Sequence, residues 1–280
     1  MYLTLDKWLN IFKSSNISFD KFVDKLRVKK SNGKIEYVKN IKNKKIKKLF
    51  YKNLYKVVVT NKKVFLTNIF NNNFKIDDYD ISLCIVNNKF IKNKNIVRNL
   101  YYKEILQETD TTQPNLRTYL DVLIDLFKHR ILDYKLLTPS GMDMIINGKL
   151  LPILSGFYFK ASILNPIVPY SLSKICNYDF KVLTPTLGWS SYLIGMLNNS
   201  NLDTYVGIDV IKKVCKNTKK LCDENNIKND IYCIPSEDLY SDQNFMNKYR
   251  NEIDFVFFSP PYYELELYKG KDQSTNKYKN

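Results

Sequence analysis

Four clusters in the second half of the chain combine residue types and spacings that could do chemistry. The last is Ser259-Pro260-Pro261-Tyr262, directly after the apolar run Phe255-Val256-Phe257-Phe258. The run reads as a strand buried on both faces, and the prolines, which cannot donate to a ladder, force the chain out of the sheet there. The turn then presents a hydroxyl, a rigid backbone carbonyl and aromatic rings. Earlier, Thr184-Pro185-Thr186-Leu187-Gly188 follows Phe180-Lys181-Val182-Leu183, and Gly188 would let the backbone approach a ligand closely. Asp209 closes Tyr205-Val206-Gly207-Ile208, about 20 residues beyond Gly188, the separation at which nucleotide-binding folds place an acid for ribose hydroxyls. Ser236 and Glu237 come just after Ile231-Tyr232-Cys233-Ile234. Taken singly, each cluster also has a plain structural reading: a strand-ending turn, a surface Asp, a helix start.

The elements that must position these residues follow from the same pattern. Four short apolar runs alternate with helical stretches, Tyr192 to Leu197 and the amphipathic Lys212 to Leu221 among them, which predicts an α/β domain with a parallel sheet. In such sheets ligands bind at the carboxyl ends of the strands. All four clusters fall at predicted strand ends.

The order strand, glycine loop, helix, strand-Asp, helix, strand-acid, helix, strand-Ser-Pro-Pro-Tyr resembles the S-adenosylmethionine-dependent nucleic-acid amino-methyltransferases of the N6-adenine/N4-cytosine type. Their catalytic motif reads Asp, Asn or Ser, then Pro-Pro, then an aromatic residue. The resemblance covers about residues 153–280. It implies a Rossmann-like class I methyltransferase domain with S-adenosylmethionine as cofactor. Ser259 and the Pro260 carbonyl would accept hydrogen bonds from an exocyclic amino group, Pro261 would stiffen the turn, and Tyr262 would stack on a flipped base. Thr184, Pro185 and Gly188 would line the cofactor, Asp209 would take the ribose hydroxyls, and Ser236 or Glu237 the adenine. The segment Phe157 to Pro166, ahead of a helix over Ile167 to Ile175, is loosely similar to one that touches the cofactor's methionine part. Glu264 to Tyr268 and Gln273-Ser274 resemble the continuation in phage-type members. Two positions depart from the cofactor loop Asp-Pro-Phe-x-Gly-x-Gly-Ser: Thr184 replaces the acid and Ser190 the second glycine. The implied activity is methyl transfer to cytosine N4 or adenine N6 in DNA. The alternatives are an RNA amino-methyltransferase (such as guanine N2) and a non-catalytic nucleic-acid-binding subunit with a decayed methyltransferase fold.

The chain has 280 residues and a formal net charge of +16. Residues 1–100 hold 23 Lys+Arg against 7 Asp+Glu, and the rest hold 21 of each. The excess charge therefore predicts a small basic α+β module over 1–110, suited to phosphate-backbone binding, ahead of the methyltransferase-like domain over 111–280. A coding bias toward lysine and asparagine is the competing source of that charge, though it would spread lysine evenly. Helices are expected within residues 3–26, a hairpin over Val57 to Thr67, a strand over Ile81 to Val86, and a helix carrying Leu116, Tyr119, Leu120, Leu123, Ile124, Phe127 and Ile131. Ser140-Gly141 and Asn147-Gly148 read as turns.

No apolar run reaches the ~20 residues that span a bilayer. The amino terminus lacks the regions of a signal peptide. One histidine, His129, read as a surface residue, and five cysteines without a Cys-x-x-Cys pair suggest no metal site. Cys84, Cys176, Cys215, Cys222 and Cys233 read as buried thiols of an intracellular, reducing compartment, cytoplasm or nucleus, a host's if the protein is viral. The residues after Tyr262 are few, and Lys269 to Asn280 is almost entirely polar. The domain thus reads as truncated after strand four, which predicts an exposed apolar edge completed by a second chain or a missing carboxyl-terminal half.

Overall fold

A computed structural model of the chain describes residues 27–37, 91–101, 103–107, 109–113, 116–118, 121–122, 125, 129, 131–147, 156–260, 262 and 265–268. The helices expected within 3–26, the hairpin 57–67, the strand 81–86, Cys84 and Pro261 lie outside these residues. The chain divides into two compact units, which do not follow a boundary at 110/111. One is Met1–Phe65, Lys103–Ala161 and Leu265–Leu267; the other is Leu66–Tyr102, Ser162–Glu264 and Tyr268–Asn280.

In the first unit, β1 (Arg27–Lys29) pairs antiparallel with β2 (Ile35–Tyr37) and parallel with β3 (Ile131–Asp133). The intervening turn carries Gly33 at φ 81. Ile131, expected to end a helical stripe, instead begins β3, where Leu132 is fully buried. Arg117 ties this region together through Asp125 and, at 2.6 Å, Asp133. Ser140-Gly141 is not a turn: both lie in the first turn of a helix, Pro139–Ile146. Thr138 Oγ1 accepts the Gly141 N–H at 3.1 Å, and Pro139 opens the helix, so this serine and glycine follow a cap. His129 is exposed, as expected.

The first described element of the second unit is α1 (Ile91–Leu100). After Asn165, whose side chain accepts the Ile167 N–H, come α2 (Ile167–Ser173), β4 (Phe180–Thr184), α3 (Ser191–Met196), β5 (Leu202–Ile208) and α4 (Lys212–Glu224). Then follow β6 (Lys228–Tyr232), α5 (Ser236–Tyr240), α6 (Gln243–Tyr249) and β7 (Phe255–Val256). The strands form one four-stranded parallel sheet in the order β6-β5-β4-β7. This is an α/β architecture compatible with a Rossmann-like fold. Side chains alternate across β4, so Leu183 joins Val206, Ile208, Leu239 and Phe245 in the core beneath α5 and α6. Cys176, Cys215 and Cys222 are buried, but Cys233, just past β6, is exposed.

β7 corrects one expectation. It spans two residues, and it is not buried on both faces. Phe255 and Phe257 turn inward, with Phe255 edge-on to Phe180 at 6.3 Å, whereas Val256 and Phe258 are about half exposed. Successive side chains point to opposite faces of the sheet, so the alternation leaves Val256 and Phe258 on the face that the described residues do not cover. Asp254 sets its register: its backbone N–H donates to the Lys181 carbonyl, and its carboxylate accepts the Lys181 N–H at 2.8 Å. The last ladder bond runs from Phe257 N to the Leu183 carbonyl. No described helix is long and apolar enough to cross a membrane.

Candidate active site at the carboxyl end of the parallel sheet

Because the four strands are parallel, the segments that leave them emerge at one end. These are 185–190 after β4, 209–211 after β5, 233–236 after β6 and 257–262 after β7. The loop after β4 touches each of the other three. Its Leu187 N–H donates to Asp209 Oδ2 at 3.1 Å. The Pro185 carbonyl accepts a short hydrogen bond from Ser236 Oγ. Thr186 Oγ1 donates to the Ser259 carbonyl at 3.1 Å. The predicted residues Pro185, Asp209, Ser236 and Ser259 are thereby brought together by direct bonds.

The loop takes an uncommon path. Gly188, Trp189 and Ser190 all adopt left-handed conformations, with φ of 51, 60 and 58. Such angles cost a non-glycine residue on the order of 1 kcal/mol or more, so Trp189 and Ser190 need compensation. It comes from burial and hydrogen bonds. Ser190 Oγ is shared between Tyr101 Oη at 2.5 Å and Thr218 Oγ1 at 2.6 Å, and all three hydroxyls are buried. Trp189 packs against the Tyr101 ring at 5.7 Å. Ser190, which replaces a glycine of the expected pattern, thus directs its hydroxyl into the packing between the loop, α4 and Tyr101, the residue after α1. Thr184 does likewise. It is fully buried, with Oγ1 donating to Tyr205 Oη at 3.0 Å, and forms part of the wall behind the loop.

Gly188 and Gly207 are required by close approach. A Cβ on Gly188 would lie 2.2 Å from Tyr192 Cζ, and one on Gly207 would lie 2.4 Å from Leu187 Cδ2. The first gap admits the Tyr192 ring over the loop, and the second lets the loop settle on β5.

Asp209 stands one residue past β5, and each carboxylate oxygen accepts one backbone N–H: Oδ2 from Leu187 and Oδ1 from Ile211 at 2.9 Å. A carboxylate has about four acceptor positions, and the Val210 N–H also acts on this one, so room is left for a further donor. Burial pushes its pKa up to about 6, against the lowering effect of those N–H groups. Glu237, in the first turn of α5, has a buried Oε1 with no hydrogen-bond partner among the described residues. A buried acceptor without a donor is costly and is satisfied by any ligand that brings one. Ser236, by contrast, spends its hydroxyl on Pro185.

The turn after β7 is more open. Pro260 is exposed and the Tyr262 ring is about half exposed. Ser259 is held on both sides: besides its carbonyl bond to Thr186, its N–H donates to Tyr192 Oη at 3.2 Å. Tyr192, Thr186 and Tyr101 are structural participants that sequence reasoning missed. The only local signal for Tyr192 is an aromatic residue four positions beyond a loop glycine. Tyr101 carries none, since it lies far upstream in the chain.

Comparison with protein-family models, with curated proteins and with solved structures finds no match to this chain.

Proposed function

We propose that this chain transfers a methyl group from S-adenosylmethionine to an exocyclic amino group of a nucleobase, cytosine N4 or adenine N6, with DNA favoured over RNA as substrate. One observation carries the reading. The four segments that resemble an amino-methyltransferase all leave the same end of adjacent parallel strands, and the loop after β4 is bonded to the other three.

The residues at that end suit the cofactor. Asp209 has acceptor capacity left for a ribose hydroxyl, and Glu237 Oε1, without a partner among the described residues, suits a donor such as the adenine amino group. When bound, S-adenosylmethionine supplies an electrophilic methyl group on a sulfonium. On the base side, Ser259 Oγ makes no hydrogen bond to a described residue and is available to accept from an amino group. The Pro260 carbonyl is the second acceptor. Two acceptors on one amino group pull its nitrogen toward a tetrahedral geometry and free its lone pair from the ring. Tyr262, half exposed, offers a face on which a flipped base can stack. The contribution is preorganisation of acceptors, with no covalent intermediate on the protein.

The deciding experiment measures transfer of radiolabelled methyl groups from S-adenosylmethionine to DNA and to RNA, beside calorimetry of cofactor binding. Transfer to DNA supports the reading. Transfer to RNA alone replaces the substrate. Cofactor affinity without transfer to either points to the non-catalytic alternative, and absence of affinity overturns the reading.

A further inference from the structure

We propose that Tyr192 and Thr186 are positioning residues that clamp the Ser259 backbone to the loop after β4, so that the acceptors facing the base move with the loop that lines the cofactor. The proposal deepens the transferase reading and rests on it.

Ser259 lies past the last ladder bond, and the prolines after it cannot pair. Its backbone is held instead by two side chains. The N–H donates to Tyr192 Oη at 3.2 Å, and the carbonyl accepts from Thr186 Oγ1 at 3.1 Å. The two bonds come from opposite sides of one residue, so neither the N–H nor the carbonyl of Ser259 can shift without breaking one of them.

Tyr192 also touches both segments through its ring. It lies against Gly188, where a Cβ would come within 2.2 Å, and it meets Phe257 edge-on with centroids 5.0 Å apart. The ring is 2% exposed and has no room to swing away. A displacement of the loop by a bound cofactor therefore reaches Ser259 through Thr186 and Tyr192. Ser259 Oγ stands on the clamped residue itself, and the Pro260 carbonyl follows one residue on. The clamp occupies only backbone groups and leaves both acceptors for substrate.

Tyr192→Phe and Thr186→Val each delete one hydroxyl and keep the shape. Amide hydrogen exchange on the full chain reads the clamp directly. Losing one hydrogen bond, worth about 1 kcal/mol, should speed exchange of the Ser259 amide about fivefold in Tyr192→Phe. Thr186→Val should lower kcat for methyl transfer by a similar factor and leave KM for S-adenosylmethionine unchanged, and Thr186→Ser should restore kcat. An unchanged Ser259 amide in a folded Tyr192→Phe chain overturns the clamp. So does a Thr186→Val chain that loses cofactor affinity as steeply as turnover, because the loop alone would then be damaged. If the parent chain binds no cofactor, the transferase reading fails, and the exchange measurement still decides the clamp.

Discussion

The segments that leave β4 and β7 begin side by side in one sheet and are built in opposite ways. After β4, residues 185–190 run through three left-handed positions, bury Trp189 and Ser190, and bond to three neighbouring strand ends. After β7, Phe258, Pro260 and Tyr262 are exposed, and among the described residues only Ser259 is tied down on both sides. A pocket for a small ligand gains from walls that are formed before it arrives. A site for one base of a large polymer needs open approach and a few fixed acceptors. The difference matches a cofactor side that is preorganised and a substrate side that is exposed.

The largest expected effect breaks the first segment. Gly188→Ala puts a Cβ into the Tyr192 ring at a left-handed backbone position, and should destabilise the second unit by about 3 kcal/mol and abolish cofactor binding. Denaturant unfolding and calorimetry read both. Next come Ser259→Ala and Tyr262→Ala in the open segment. Each should cut methyl transfer about 100-fold, the scale for removing one preorganised group, with cofactor affinity retained. If both variants lost the cofactor instead, the two segments would not divide the work as described.

Asp209 sharpens the comparison through pH. Its pKa in the folded chain, about 6, lies above the ordinary carboxylate value of roughly 4. The folded chain therefore binds more protons than the unfolded chain in that window. The stability that this group contributes is present below about pH 4 and is lost as pH rises through 6. Cofactor affinity should run the other way, because ribose hydroxyls need the ionised acceptor, and should rise between about pH 5 and 7. Asp209→Asn should remove that pH dependence and weaken cofactor binding by about 1–3 kcal/mol. Flat affinity across the window in the parent chain would take the ribose role from Asp209.

A smaller effect is expected at Tyr101. Tyr101→Phe deletes one end of the hydroxyl chain through Ser190 to Thr218 and should cost about 1 kcal/mol of stability, with the open segment unaffected. Per residue, the smallest effects belong to the lysines of the first hundred residues. Replacing Lys42, Lys44, Lys45, Lys47 and Lys48 with Gln should lower the salt slope of nucleic-acid affinity by about one for each phosphate no longer neutralised. An identical slope would assign that charge to coding bias.

The parallel sheet and its strand ends were legible in the sequence because they depend on local pattern. The apolar runs at 180, 205 and 255 and the glycine, acid and proline punctuation after them mark strands without reference to distant residues, whereas the third strand, expected over Ile231 to Ile234, begins in the polar Lys228-Asn229-Asp230 and ends at Tyr232. Asp209 one residue past β5 and Gly188 at a positive φ follow from that pattern. What the pattern could not show is which groups meet across long stretches of chain. Ser190 in a glycine's place reads as a defect until Tyr101, 89 positions earlier, is found at its hydroxyl. Phe255 to Phe258 reads as doubly buried, because an apolar run does not record whether both faces of its strand are covered. The backbone bonds from Ser259 to Thr186 and Tyr192 span 73 and 67 positions and leave no local trace. Secondary structure answers to neighbours a few residues away, whereas the placement of a hydroxyl against a distant amide is settled only when the sheet closes and its loops pack.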